Sequence, residues 1–277
     1  MTRLALTLSV AVAMLVCSGQ VQAKSKDPEP GKLKAKLPNK LKMLERNKFG
    51  SADRTPADYG LTGENKLSNA FSSRLNMSIP DSTPYFVNQP TVMDGKEYLP
   101  YIVDQAEDDG WWVFYRFNPG GGHDYTGAQF LVVRYTDSFE VKFKLLLNKH
   151  LLYKRTEVQD VRFRNGFIYF NEACGTYSKS YKGKCSHIAC LDPITDTVKW
   201  RTPDLVSNNM FIFKDDDTII SGYGFTDEKD YLYLVDANNG KVKSRTSLGS
   251  GHYYMETKDG KVHVFTYNAY WVFQFKK

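Results

Sequence analysis

From about residue 83 the chain advances in short runs of apolar or alternating residues, split by Gly, Asn and Asp. Period-two alternation bounded by turn residues predicts many antiparallel strands. A tight turn followed by a strand recurs four times. It reads Asp109-Gly110-Trp111-Trp112-Val113-Phe114-Tyr115, then Asn165-Gly166-Phe167-Ile168-Tyr169-Phe170. It returns as Asp216-Asp217-Thr218-Ile219-Ile220-Ser221 and as Asp259-Gly260-Lys261-Val262-His263-Val264-Phe265. Asn-Gly and Asp-Gly supply the positive-φ residues that a two-residue hairpin requires, and the third copy lacks its glycine. A strand, a polar turn and another strand follow each of the first three copies, over 131–142, 188–200 and 232–243. The two elements make four strands per unit, at spacings of 56, 51 and 43 residues. These match or exceed the roughly 40–50 residues of a propeller blade, and long inserts between second and third strands account for the excess. The expected fold is therefore all-β: a propeller-like array of about four four-stranded antiparallel blades over 83–277.

The 232–243 copy contains Leu234-Val235-Asp236-Ala237-Asn238-Asn239-Gly240-Lys241-Val242, which resembles the repeat of the quinoprotein-type (PQQ-like) β-propellers. Their outer hairpin commonly reads Leu-Asp-x-x-Thr-Gly-x-x-x-Trp. Leu191-Asp192 to Trp200 fits the same frame, with Asp196 in the glycine position, and Tyr135 replaces the Asp in the first copy. The resemblance covers about 190 residues. It implies a fold and not a cofactor: quinone-binding members pair adjacent cysteines near the cofactor, and no such pair occurs here. Three full units and a three-strand remainder fall short of the family's usual blade number. A strand from upstream, Tyr85-Phe86-Val87 or Tyr98-Leu99-Pro100-Tyr101, would complete the fourth blade and remove an exposed edge. The alternatives are an open array or pairing with a second copy.

Upstream the pattern changes twice. Arg3 precedes an apolar run from Leu4 to Val16, and Val21-Gln22-Ala23 offers small residues for cleavage before Lys24. Residues 1–23 therefore read as a secretory signal peptide, too short to span a bilayer. Lipidation at Cys17 is the competing outcome, although Val16 is not the small residue such signals prefer. Residues 24–82 read as a basic linker and irregular lead-in. Nine Lys or Arg stand against three acids in 24–49, a balance of +6, while residues 50–277 sum to −1. The basic excess thus lies outside the blades and argues against nucleic-acid binding by the domain. Leu33, Leu37, Leu41 and Leu44 have near-helical spacing, but Pro38 interrupts them. A disordered linker is favoured over an amphipathic helix, with at most a weak contact to an anionic surface.

An exported chain is expected to use its cysteines as disulfides. If the strand ending at Cys174 pairs with the strand beginning near Cys185, these two flank the mouth of one loop. Cys174–Cys185 is then the expected bridge, and Cys190 a small core residue. No HExxH, GxSxG or phosphate-loop motif is present, so no catalytic residue, metal or cofactor is assigned. His123 and Asp124 follow Gly120-Gly121-Gly122, which reads as a flexible connection and not a phosphate cradle. The working surface is expected where the long inter-strand loops converge. Its candidate contact residues are Arg116, His123, Asp124, Tyr125, Tyr177, Tyr181, Tyr223, Phe225 and Tyr267. The expected role is a non-enzymatic binding or assembly scaffold for a protein or glycan of the cell envelope. An extracytoplasmic enzyme acting on glycans is the alternative.

Overall fold

Among the described residues, seventeen strands form four antiparallel sheets. The computed structural model describes residues 40–49, 55–61, 89–106, 109–120, 125–225 and 227–276, all within one unit, Pro38–Lys277. The first blade contains β2 (Thr91–Met93), β3 (Lys96–Gln105), β4 (Trp111–Phe117), β5 (Gln129–Tyr135) and β6 (Val141–Leu146). The second runs β7 (Glu157–Arg164), β8 (Phe167–Ala173), β9 (His187–Asp192) and β10 (Thr197–Arg201). The third runs β11 (Phe211–Asp215), β12 (Thr218–Tyr223), β13 (Tyr231–Asp236) and β14 (Val242–Ser247). The fourth holds β15 (His252–Lys258), β16 (Lys261–Thr266) and β17 (Ala269–Phe275), with β1 (Leu41–Lys48) on its outer edge.

That last strand corrects two expectations. The fourth blade is completed by residues assigned to the disordered linker, with Leu41 opposite Phe275 and Lys48 opposite Ala269. Tyr98–Tyr101 instead belongs to the first blade, and Tyr85–Val87 lies outside the described residues. The linker's composition concealed the strand because an outer edge needs almost no apolar side chains. In β1 only Leu41 is buried; the next seven residues are exposed, and β17 supplies the hydrogen-bonding partner. The lead-in also packs: the Tyr59 ring centroid lies 4.0 Å from that of Tyr270 in a tilted contact, and the Lys258 ammonium donates to the Gly60 carbonyl. The signal segment, Ala23, Lys24 and Cys17 all lie outside the described residues.

Turn chemistry sets the hairpins. Asn165 and Gly166 have φ of 50° and 75°, and Asp259 and Gly260 have 51° and 70°, the doubly left-handed geometry that matches strand twist. Asp94-Gly95 does the same at 52° and 71° and adds β2, a hairpin not anticipated upstream of the first repeat. The outer hairpins explain the family-like repeat. The Asp192 carboxylate accepts from the Ile194 and Thr195 amides, and Asp236 accepts from Asn238, so each aspartate closes its turn. Asp196 takes a φ of 55° where the pattern has glycine, a conformation Asp tolerates better than most residues. Gly240 is more constrained: a Cβ there would lie 2.4 Å from the Trp200 ring, so the second blade's tryptophan packs onto the third blade's turn.

Burial follows the blade order. Inner and middle strands are mostly buried, whereas β6, β10 and β14 are largely exposed or half-buried. Ile102, Phe114, Val132, Ile168 and Leu191 share a core between the first two blades. Tyr169, Ile188, Phe211 and Ile219 join the second to the third, and Ile220, Leu232, Met255 and Val264 join the third to the fourth.

Candidate functional site

Strand order fixes which connections share a face. In an antiparallel meander, first-to-second and third-to-fourth turns lie at one end, and second-to-third loops at the other with the blade-to-blade links. The loops at that second end are 118–128, 174–186, 224–230 and 267–268.

The first three are tied into one surface. The 174–186 loop is central and is closed by the Cys174–Cys185 disulfide, whose Cα atoms are 5.2 Å apart; Cys190 is free and buried. Gly175 sits against both Tyr125 and Tyr181, and a Cβ there would meet them at 3.1 and 3.2 Å. The Gly175 amide donates to Tyr181 Oη, which donates in turn to the Arg155 carbonyl at 2.9 Å. On the other side, the Ser178 amide and hydroxyl both donate to Glu228, at 2.7 and 2.9 Å. The Tyr223 hydroxyl also donates to Glu228. Phe225 lies 5.7 Å from Tyr177 and 6.0 Å from Tyr223, centroid to centroid.

The candidates therefore divide. Tyr177 is exposed and Phe225 half-buried, so both present contact area. Tyr223 is only 4% exposed and supports the loop from beneath, which corrects its reading as a contact residue. Burial, and then the hydrogen bond to Glu228, raises its phenol above the ordinary range. Arg116 is held inside: its guanidinium lies 2.9 Å from Glu157 and 4.2 Å from the Tyr101 ring centroid. Tyr125, whose ring centroid is 5.8 Å from that guanidinium, has its phenol raised by burial and by Glu157. Tyr267 is 87% exposed on the fourth loop. His123 and Asp124 lie outside the described residues.

Several polar residues here were not anticipated. Asn171 accepts from the Gln159 and Asp160 amides and donates to the Asn209 carbonyl. Asn209 donates onward to the His252 carbonyl, and Asn208 exchanges bonds with Gly224. This buried belt joins the second, third and fourth blades. Asp230, 8% exposed, has its carboxyl raised to about 6 by burial and by Glu228. Glu172 receives the Leu152 and Tyr153 amides and lies 3.3 Å from His187, which fixes the 147–156 link. Burial opposes ionisation of Glu172, but these bonds outweigh it and hold the carboxyl below its usual range. The clue in sequence was polar side chains within strands, such as Asn171 and Glu172 after the Phe167–Phe170 run.

No known protein family and no curated protein matches the sequence. Solved structures do, and they are β-propeller proteins. One is the dihydro-heme d1 dehydrogenase NirN, at 10% identity and a TM-score of 0.42, with 64% of this chain and 34% of that chain covered. Another is BamB from Moraxella catarrhalis, at 11% identity and 0.32, covering 63% and 57%. A third is the Neurospora crassa Pan2 WD40 domain, at 10% and 0.40, covering 67% and 52%. The chain thus spans between a third and somewhat over half of these structures. At such scores they add nothing to the propeller-like fold that the four sheets already define.

Proposed function

We propose that this chain is an exported binding or assembly scaffold that engages a protein partner through the loop face of its first three blades. The observation that carries the reading is the interlocking of those loops around the disulfide-closed 174–186 segment, which presents Tyr177 and Phe225 on a fixed base. Tyrosine and phenylalanine on rigid backbone are effective interface anchors, since little conformational freedom is lost on contact. The disulfide supports an oxidising compartment, consistent with the signal-like first 23 residues. The quinoprotein-type repeat at 234–242 supports kinship with propellers in which many members are scaffolds. A glycan-acting enzyme would place two carboxyls across an open cleft. Here Glu228 is engaged by Ser178 and Tyr223, and Asp230 is buried, so the scaffold reading is favoured.

The test is site-specific photocrosslinking in the producing cell. A photoreactive residue at Tyr177 should trap a discrete partner, and one at Asp259 on the opposite face should not. Adducts arising only from position 259, or from neither, would overturn the proposal.

A further inference from the structure

Lys179, Lys182 and Lys184 lie within the disulfide-closed loop and are all exposed. The hydrogen bond from Tyr181 to the Arg155 carbonyl places exposed Lys154 and Arg155 against the same loop. Among the described residues these five cations have no salt-bridge partner, as is true also of Lys241, Lys261 and Lys276; what sets the five apart is that they lie on two adjoining segments. Residues 40–277, which include β1, sum to only +2, so five clustered cations stand out locally. The turns of the opposite face carry Asp109, Asp137, Asp192, Asp216 and Asp217 together with Lys241, Lys258 and Lys261, so the charge there is mixed. Like charges gathered on one face repel one another, and a partner of opposite charge relieves that repulsion.

We infer that the 174–186 loop and the adjoining 154–155 link form a docking surface for an acidic polypeptide segment, with Tyr177 and Phe225 gripping its apolar or aromatic side chains. The inference rests on the proposed scaffold role and adds the partner's chemistry. The neighbouring loop argues for a polypeptide over an anionic bilayer. Ser178 is bonded to Glu228, so the cationic loop abuts one carrying exposed Asp227 and half-buried Glu228 beside Lys229. A uniformly anionic sheet laid on the lysines would meet those acids as well. A polypeptide can turn its acids toward the lysines and keep them clear of Glu228. Complementary charge of this kind raises association rate and fixes orientation.

The probe is a dye-labelled peptide alternating Glu and Tyr, with a Gln-for-Glu counterpart, titrated onto the full mature chain. Binding to the Glu peptide should weaken as ionic strength rises from about 0.01 to about 0.1 M, across which the Debye length falls from roughly 30 to roughly 10 Å. The K179E/K182E/K184E variant should lose at least roughly tenfold in affinity. K241E/K261E/K276E, which changes net charge equally on the other face, should bind like the unmodified protein. Melting curves establish that both variants fold. Equal losses in both variants, equal binding of the Gln peptide, or binding to phosphatidylglycerol vesicles without peptide binding would each overturn the inference. If crosslinking at Tyr177 still traps a partner while the loop variant keeps full peptide affinity, the scaffold reading stands and the acidic-segment inference falls.

Discussion

Replacing Cys174 and Cys185 together by alanine removes a clamp that acts on both stability and the contact surface. The bridge spans a sequence separation of 11. In the chain-entropy account, opening a loop of this size costs about 3 kcal/mol, because the unfolded chain regains the freedom the bridge removed. For a domain of this length about 1 kcal/mol moves the melting temperature by roughly 2–4 °C, so the variant should melt about 6–12 °C lower. Both cysteines are buried, at 1% and 0% exposure, and the small voids left behind act in the same direction. Thermal melts followed by tryptophan fluorescence should be run on the wild type, the variant and the wild type in reductant. The last two should nearly coincide. Trypsin should also cleave after Lys179, Lys182 or Lys184 sooner in the variant than in the oxidised wild type. A variant melting within about 2 °C of wild type would refute the unfolded-state argument. Unchanged cleavage would show that the loop is held by Glu228 and Tyr181 without the bridge.

Leu41→Ala should cost about 2–3 kcal/mol, because Leu41 is the buried residue of β1, whereas Met43→Ala at an exposed position should cost little; equal melting temperatures would mean that β1 does not seal the fourth blade. Gly166→Ala should cost about 1–2 kcal/mol from backbone strain alone. Its φ is 75° and no atom lies near the new methyl, so partner affinity of the folded fraction should not change, as binding titrations can check. His252 is buried with its folded pKa lowered to about 4 by burial, from an ordinary 6.5, although its bond to Met210 partly opposes the shift. The unfolded chain therefore binds the extra proton first, so this residue's contribution is full above pH 6.5 and is lost as pH falls toward 4. His252→Gln should flatten the acid limb of the stability–pH curve by an amount on the order of 3 kcal/mol, and an unaltered limb in denaturant titrations would refute the assignment.

Alternation and turn dipeptides determined the strands of the blades, since Asn165-Gly166 or Asp259-Gly260 between β-rich runs has few alternatives to a tight hairpin. They also determined the disulfide, because hairpin register alone sets Cys174 opposite Cys185 and moves Cys190 into the core. The loop face followed from connectivity, as repeats place equivalent loops on the same side. Three things waited for the tertiary structure. The strand Leu41–Lys48 carries no apolar alternation because its exposed side chains contribute little burial and β17 provides its ladder. Tyr177 and Tyr223 look equivalent in sequence, yet one is exposed and the other is buried, edge-on to Phe225 and bonded to Glu228. Finally, the lysines of the 174–186 loop read as an ordinary solvated turn until the Tyr181–Arg155 bond brings a second basic segment beside them. Local pattern encodes which residues become strands and turns, but which side chains face solvent together depends on residues distant in the chain.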